Sequence, residues 1–520
     1  MKMIIAFLTF IVLTTSALAQ KKKDNTDQRL VGLDAKFQTL LFDWKTPGFA
    51  VAIVERNKVI YAKGFGYRDY ENKIPVTPNS LFAIGSCTKA FTSSLLGLLV
   101  DQHRIDLNES PRKYLPELNF FNQNMDNSIT IKDMMCHRTG LPRHDDSWFF
   151  FPTDSKDSLL RRIKFLEPSA GVREKYQYNN FMFMLQGSIV ERITGKSWED
   201  NITESFFQPL GMSRSNLSIE SLEKSDDYAI GYTLKNDTII EKTDYYHIRA
   251  MSPAGSINSS VNDMAKWVIT WINGGKYNGK VIIPSLYVSE AISSQMVASS
   301  GLPSKEQPDL FFSNYGYGWG LSSYRGHYRV QHAGGINGFT ALTCFFPMDS
   351  VGIIILLNQD NSNIHSVIRN MIADKMFKLD EKDWNKYLLA EKEKALKSQK
   401  ELESKAILNK KSGTVTSQRL SAFSGNYFNP GYGTIKVILE RDSLFAITPM
   451  YKFWLKHYHY DIFQPFWVSN NAIDPFEFTE IRYNFDTNDL GEIETININM
   501  EPSVDPIKFK RQVDNPKLVK

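Results

Sequence analysis

A charged run rich in Lys, Glu, Ala and Leu at residues 379–411 divides the chain into two regions, each with apolar patterns of its own. Such a run is typical of a solvated helix or helical linker, and its apolar residues do not keep the heptad of a coiled coil. A chain of 520 residues is also too long for one ordinary core. We therefore expect a larger domain at 31–377, a linker at 378–413 and a smaller domain at 414–520.

The N-terminus has the pattern of a secretory signal peptide. Lys2 precedes an apolar run from Met3 to Leu13, and the small residues that follow resemble a cleavage site. The apolar run is too short to span a bilayer comfortably. We therefore predict an exported bacterial protein, periplasmic or secreted, with a signal peptide at 1–19, a flexible lead-in at 20–30 and no stable membrane insertion.

Charge and cysteine content exclude two broad classes of protein. The formal net charge is only +4, and the basic residues are interspersed with acidic ones, so we expect no nucleic-acid partner. The three cysteines, Cys87, Cys136 and Cys344, are too few for a disulfide framework and are expected to be buried free thiols. A nucleophilic Cys87 stays open as an alternative.

Strand-like segments lie near both ends of the first region. Residues 49–66 and 338–358 each predict two strands around a turn, because their flanks are rich in Val, Ile and other β-formers. Between them, Ser86–His103 carries apolar residues at helical spacing. The predicted fold class is therefore α/β or α+β, with an antiparallel sheet flanked by helices. Aromatic and β-branched runs between turn residues predict a small antiparallel β-barrel-like domain after residue 414.

Ser86 and Lys89 form a Ser-x-x-Lys pair at the start of the predicted helix. Residues three apart on a helix face the same side, so the hydroxyl and the amine can meet. A serine hydroxyl needs a base to become a nucleophile, and a desolvated lysine has a pKa low enough to serve. The same spacing recurs at 110–113 and 221–224, but only Ser86 opens an amphipathic helix after a strand-like run.

A second pattern, Tyr-x-Asn, lies at Tyr178 and Asn180. A tyrosine near a cationic lysine loses its proton more readily and can relay a proton to a leaving group. The Asn180 amide can bind a substrate carbonyl. The pattern recurs at 70–72 and 427–429, so a core tyrosine with a polar cap is the plain alternative.

A third pattern is His332-Ala333-Gly334-Gly335, directly before a β-rich run. Small residues there let a substrate backbone approach a strand closely. A backbone N–H at this point can join the N–H of Ser86 as an oxyanion hole. A glycine turn that enters a hairpin explains the same residues.

Together these patterns resemble, in order and spacing, the class C β-lactamase-like serine hydrolases, which include penicillin-binding DD-peptidases and related esterases. The likeness covers roughly residues 31–377, and 420–510 resembles a small β-domain appended to some of these hydrolases. Six segments carry it in register: LFAIGSCTKAFTSSLLGLLVDQHRIDLNES, ITIKDMMCHRTGLP, YQYNNFMFMLQGSIVERITGKSW, QPLGM, SPAGSINSSVNDMAKW and VQHAGGINGFTALTCFFP.

The resemblance implies catalytic roles by position. Ser86 corresponds to the acylated nucleophile, and Lys89 and Tyr178 to the base and acid. The backbone N–H groups of Ser86 and Gly335 correspond to the oxyanion hole.

The resemblance also implies substrate contacts at Asn180, His332, Gly334 and Gly335. His332 stands where true β-lactamases typically carry the lysine of a Lys-Thr-Gly triplet, which helps recognise a substrate carboxylate. A neutral histidine is a poorer anchor for an anion. Esterase- or peptidase-like activity is therefore expected ahead of efficient β-lactam hydrolysis, on a small-molecule or peptide substrate, with no cofactor and with a homo-oligomer possible.

Two further polar groups have no assigned role. The cluster at 144–146 (His-Asp-Asp) either lines the cleft mouth or is a solvated loop. His457 and His459 lack a third ligand in view, so we expect strand residues and no metal site.

Two other functions remain open. The chain can be a cell-wall-fragment or penicillin-binding sensor built on a hydrolase fold, because a fold does not fix a function. It can also be an interaction protein whose working part is the C-terminal domain.

Overall fold

The computed structural model describes residues 27–245, 247–305, 310–469, 472–477 and 481–512, so the predicted signal peptide and residues 20–26 lie outside the described part. None of the helices in these ranges is long and apolar enough to cross a membrane. The helices are α1 Leu33–Asp43, α2 Thr88–Asp101, α3 Gln123–Ser128, α4 Ile131–Met135, α5 Asp146–Phe149, α6 Lys156–Arg162, α7 Phe181–Thr194, α8 Trp198–Ile202, α9 Gln208–Leu210, α10 Ile219–Glu223, α11 Ser252–Gly255, α12 Val261–Ile272, α13 Ser285–Ala291, α14 Ile364–Phe377 and α15 Trp384–Leu408.

The strands fall into a first group before α14 and a second group after α15. The first group is β1 Gly48–Glu55, β2 Lys58–Asp69, β3 Ile74–Pro75, β4 Phe82–Ala83, β5 Tyr232–Lys235, β6 Ile239–Lys242, β7 Asn258–Ser259, β8 Lys276–Tyr277, β9 Lys280–Val281, β10 Met296–Ser299, β11 Ser313–Tyr315, β12 Gly320–Tyr324, β13 His327–Ile336, β14 Phe339–Phe346 and β15 Val351–Leu357. The second group is β16 Gly425–Asn429, β17 Gly433–Glu440, β18 Ser443–Ile447, β19 Lys452–His459, β20 Ile462–Ser469, β21 Ala472–Glu477, β22 Tyr483–Thr487, β23 Ile493–Ile498 and β24 Ile507–Arg511.

An antiparallel sheet of nine strands organises the first region, in the order β10-β11-β12-β13-β14-β15-β1-β2-β3. The central strands β14 and β15 are buried along their whole length, because helices cover both faces. One face packs on α2 and α12, and the other packs on α1 and α14. The predicted class, an antiparallel sheet flanked by helices, is confirmed.

The local patterns also fold as expected. Residues 49–66 contribute to β1 and β2, which pair directly, and residues 338–358 contribute to β14 and β15. The helix predicted over Ser86–His103 begins slightly later, at Thr88, because Gly85–Cys87 forms a 3-10 turn ahead of it.

The second region is a closed antiparallel barrel of eight strands. The order β19-β18-β17-β16-β24-β23-β22-β20 is closed by pairing of β19 with β20, and β21 adds to β20 from outside the ring. Buried aromatic and β-branched side chains fill the interior, among them Tyr427, Ile435 and Phe509. The predicted barrel-like domain is confirmed, and the charged run before it forms α15 as a helix.

Residues 27–30 differ from the flexible lead-in that we expected there. Gln28–Leu30 forms a 3-10 turn, and the Leu30 side chain is buried with α1 and α14. The Arg29 guanidinium bonds Asp27 and Glu55, which ties the turn to β1. Apolar burial and this paired cation together order the segment.

The barrel packs directly on the first region. Phe151 lies against Tyr432 and Phe509 of the barrel, with ring centroids 6.4 and 5.9 Å apart. A Cβ on Gly433 would lie 2.8 Å from the Phe151 ring, so glycine there allows the close approach. The two regions thus share one continuous apolar core.

Candidate active site

Ser86 and Lys89 meet at the start of α2, as their spacing predicts. The Lys89 Nζ lies 3.0 Å from the Ser86 Oγ. Ser86 is half-buried, whereas the Lys89 side chain is fully buried. The turn that carries Ser86 is pressed against β13, where Gly85 takes a φ of +48° and its Cβ position lies 2.9 Å from the backbone of Gly335. Glycine at 85 allows both the positive φ and the close approach of Gly335, because it has no Cβ.

The surroundings of Lys89 favour the neutral form of its amine. Burial lowers the Lys89 pKa well below its ordinary value, and Asp145 opposes this only in part. The amine nitrogen also lies 2.7 Å from the Asn180 Oδ1 and 2.8 Å from the Ala254 carbonyl oxygen. Both oxygens can only accept, so each takes one N–H of the amine. In the neutral form that burial favours, the nitrogen lone pair is left for the hydroxyl proton of Ser86, as a base that activates a serine requires.

Tyr178 lies beside this pair and stays protonated. Its ring centroid is 4.9 Å from the Lys89 Nζ. Burial raises the pKa of the Tyr178 hydroxyl, although a hydrogen bond to Ser86 acts in the opposite direction. Our expectation of a lowered Tyr178 pKa is therefore wrong, because the loss of hydration on burial outweighs the nearby positive charge. Tyr178 can serve as a hydroxyl donor.

His137 supports Tyr178 and was missed in the sequence. Its fully buried ring lies 4.3 Å from the Tyr178 ring, between centroids. The His137 Nδ1 accepts the backbone N–H of Asn179, and its carbonyl accepts that of Gln177. These bonds fix the irregular segment that carries Tyr178. A single histidine in an irregular segment has no periodic pattern to reveal it.

Asn180 connects Lys89 to a short charged segment. Its Oδ1 accepts from Lys89, and its Nδ2 donates to the Asp145 Oδ1 at 2.9 Å. Asp145 Oδ2 in turn accepts from the Arg143 Nε at 2.7 Å. Both ends of the Asn180 amide therefore have protein partners. The neighbouring His144 is fully buried, so the cluster at 144–146 is not a solvated loop.

His332 is close to this centre and carries no charge. Its Nε2 lies 2.8 Å from the Tyr315 hydroxyl and its Nδ1 lies 2.6 Å from the Ala333 carbonyl oxygen. Burial lowers the pKa of His332 to about 3. A neutral ring with both nitrogens occupied cannot anchor an anion.

The two glycines of the third pattern occupy different surroundings. A Cβ on Gly334 would lie 1.9 Å from the Ile84 carbonyl oxygen, because β13 packs against the turn that carries Ser86. A Cβ on Gly335 would meet no atom within 4 Å. Gly334 thus allows the strand to approach the turn that carries Ser86, and Gly335 borders open space.

The cysteines are buried free thiols, as predicted. The Cys87 Sγ donates to the His332 carbonyl oxygen at 3.1 Å, and burial raises the pKa of this thiol to about 11. A buried thiol with a raised pKa is a poor nucleophile, which weakens the alternative of a cysteine hydrolase.

Within the described ranges, no group of three or more His, Cys, Asp or Glu side chains is arranged to hold a metal ion. His457 and His459 lie in β19 as strand residues. The His457 Nε2 contacts the Tyr460 carbonyl, and the His459 Nδ1 accepts the Lys411 N–H. Both histidines therefore have structural partners.

Two family models match the chain. The model described as Beta-lactamase matches residues 33–374, and one described as a domain of unknown function, DUF3471, matches residues 409–511. The chain is 30% identical over 427 residues to the unguisins hydrolase ungD' of Aspergillus campestris, covering 78% of this chain and 77% of that protein. It is 26% identical over 332 residues to protein flp of Staphylococcus aureus, covering 62% of each chain.

Solved structures share the fold. An octameric penicillin-binding protein homologue from Pyrococcus abyssi aligns with a TM-score of 0.60 and 21% identity, covering 92% of this chain and 99% of that one. A penicillin-binding protein from Bacillus halodurans aligns with a TM-score of 0.52 and 18% identity, covering 64% and 96%.

The two glycines give a matched pair of substitutions. We expect Gly334→Ala to lower the free energy of unfolding by about 1–3 kcal/mol, because its methyl group overlaps the Ile84 carbonyl. We expect Gly335→Ala to leave stability within about 0.5 kcal/mol of wild type, because its methyl group enters open space. Urea unfolding of both variants measures the difference. Equal losses would contradict the close approach at Gly334.

The neutral state of Lys89 predicts a pH-dependent stability. Between the lowered folded pKa and about 10.5, the unfolded chain binds one proton that the folded chain does not. Wild type should therefore lose stability relative to Lys89→Met by about 1.4 kcal/mol for each pH unit that the pH falls within this window. Chemical unfolding at pH 7 to 10 measures it. Lys113→Met, at an exposed lysine, should keep the wild-type pH dependence, and parallel curves for Lys89→Met would mean that the buried amine is charged.

Proposed function

The chain belongs to the beta-lactamase family, and on that premise we propose that it is a serine hydrolase that cleaves an amide or ester through an acyl-enzyme on Ser86. One observation carries the proposal: the Lys89 nitrogen donates to the Asn180 and Ala254 oxygens, so in the neutral form that burial favours only its lone pair is left. The lone pair is thereby aimed at the Ser86 hydroxyl, 3.0 Å away. A base held in this way can activate a serine.

The proposed reaction follows from this geometry. The Ser86 oxygen attacks the substrate carbonyl carbon while its proton passes to the Lys89 nitrogen. The backbone N–H groups of Ser86 and Gly335 bind the oxyanion that forms. The Tyr178 hydroxyl gives its proton to the leaving group and regains one from Lys89 as the tetrahedral intermediate collapses. Water then attacks the acyl-enzyme by the reverse proton path and frees Ser86.

We propose that the substrate carries an anionic group, because a partly exposed arginine lies beside the site. Arg143 lies with its guanidinium carbon 4.9 Å from the Tyr178 ring centroid, and its side chain is 55% exposed. Asp145 engages its Nε and one terminal nitrogen, so N–H donors remain for a ligand. Because His332 is neutral, Arg143 and not His332 is the proposed anchor for an anionic group such as a carboxylate.

The runner-up function is a sensor that forms an acyl-enzyme and hydrolyses it slowly. The names of similar proteins support both functions, since one relative is called a hydrolase and two fold neighbours are penicillin-binding proteins or homologues of one. We also propose export on the strength of the signal-peptide pattern. A homo-oligomer is proposed because one fold neighbour is octameric.

The nucleophile is tested by covalent trapping. We expect brief exposure to p-nitrophenyl acetate to acylate the peptide that contains Ser86, because this hydroxyl has a neutral amine as its base. Ser86→Ala should lose the adduct. Ser221→Ala, at another Ser-x-x-Lys pair, should keep it. Intact-mass spectrometry with peptide mapping reads the result, and the adduct's lifetime separates a hydrolase from a sensor. An adduct that persists in Ser86→Ala would reject the assignment.

The anion anchor is tested with a substrate pair. We expect Arg143→Gln to lower kcat/KM about tenfold more for an ester with a free carboxylate than for its neutral methyl ester, because one charged hydrogen bond is lost. The ratio of the two kcat/KM values is compared because loss of the Arg143 contact with Asp145 lowers the rate with both esters. Arg143→Lys keeps the charge and should recover part of the preference. An unchanged ratio in Arg143→Gln would place the anion site elsewhere.

A further inference from the structure

Two residues of the barrel bind a buried histidine that lies next to the candidate active site. The Tyr432 hydroxyl lies 2.8 Å from the His144 Nδ1, and the Glu501 Oε2 accepts the His144 backbone N–H at 2.9 Å. Tyr432 precedes β17 and Glu501 follows β23, so two separate loops of the barrel hold one residue of the first region. These residues lie 288 and 357 positions from His144 along the chain.

The direction of these bonds follows from their partners. The His144 Nε2 lies 2.8 Å from the Glu167 carbonyl oxygen, which can only accept. The proton of the neutral ring is therefore on Nε2, and Nδ1 accepts from the Tyr432 hydroxyl. Burial lowers the His144 pKa, which keeps the ring in this neutral form. Each ring nitrogen of His144 thus has one partner of the right kind.

The backbone at His144 needs this support. His144 has a φ of +48°, a conformation that non-glycine residues adopt at a cost. The Glu501 carboxylate holds the N–H of this turn. Further along the segment, the Ser147 hydroxyl donates to the barrel's Gly431 carbonyl at 2.6 Å. The barrel therefore binds the segment on both sides of Asp145.

Asp145 leads directly to the proposed base. It accepts from the Asn180 Nδ2, and the Asn180 Oδ1 accepts from the Lys89 amine. We propose that the barrel acts as a positioning element for catalysis. Tyr432 and Glu501 fix His144 and with it the neighbouring Asp145. Asp145 in turn holds Asn180, which keeps Lys89 in place beside Ser86. This inference rests on the proposed hydrolase function and adds to it a role for the C-terminal region.

The chain offers a matched pair of tyrosines for the test. Tyr432→Phe removes only the hydroxyl that bonds His144 and keeps the ring that packs on Phe151. Tyr427→Phe removes an equally buried hydroxyl that bonds the Phe423 carbonyl at 2.8 Å inside the barrel. Both variants lose one hydrogen bond of similar length, but only the first loses contact with the active-site segment.

Kinetics with p-nitrophenyl acetate then distinguish positioning from general stability. We expect Tyr432→Phe to lower kcat about tenfold or more with KM within about twofold, because small displacements of a catalytic group cost rate. Tyr427→Phe should keep wild-type kcat. Glu501→Leu should lose rate as Tyr432→Phe does, whereas Glu501→Gln keeps an acceptor for the His144 N–H and should recover most of it. Equal kcat values in Tyr432→Phe and Tyr427→Phe would overturn the proposal.

Hydrogen exchange of the peptide that covers residues 143–148 supplies a readout independent of activity. Faster exchange in Tyr432→Phe than in Tyr427→Phe is expected, since only the first releases the segment. If wild type forms no adduct on Ser86, the proposed function fails, and exchange then decides alone whether the barrel holds this segment. Equal exchange in both variants would overturn the positioning role.

Discussion

A fully buried lysine is the group around which the rest of the site is arranged. Lys89 has lost its hydration, and within the described part of the chain no carboxylate contacts its amine, so its pKa is lowered and the neutral form is favoured. The amine is stabilised instead by two neutral oxygens, from Asn180 and Ala254. Since each acceptor uses one N–H, the third position of a neutral amine is its lone pair, and the Ser86 oxygen lies there at 3.0 Å. The surrounding fold is organised to keep these three partners in place.

The three partners come from different parts of the first region, which explains why a large fold is needed. Ser86 is held by the contact between its turn and β13, where glycines at 85 and 334 remove the side chains that would collide. Asn180 opens α7, and Ala254 lies in α11. Helices α2, α7 and α11 pack together beside the sheet, so the geometry of the base depends on the core between them.

The sequence patterns predicted those features that depend on residues close together in the chain. The one-turn spacing of Ser86 and Lys89 brought the two groups together, and β-rich runs formed strands and the barrel. The pattern could not reveal the direction in which the Tyr178 pKa shifts, because that direction depends on burial by elements that are distant in the sequence. It singled out His144 as part of a polar cluster but could not reveal its contact with the barrel, because the partners lie hundreds of positions away and belong to no periodic motif. Contacts of that range arise only from the tertiary fold.

The position of Asn180 between Lys89 and Asp145 resolves a conflict in the electrostatics. A carboxylate in direct contact with the amine would favour the charged ammonium and remove the base. The Asn180 amide fixes the position of the amine without adding a negative charge beside it. Its oxygen accepts from Lys89, and its nitrogen donates to Asp145. Arg143 further neutralises Asp145 from the other side, and its own charge favours the neutral amine. The charged pair can therefore anchor the site to the barrel-bound segment without a carboxylate in contact with the amine that we propose as the acceptor of the Ser86 proton.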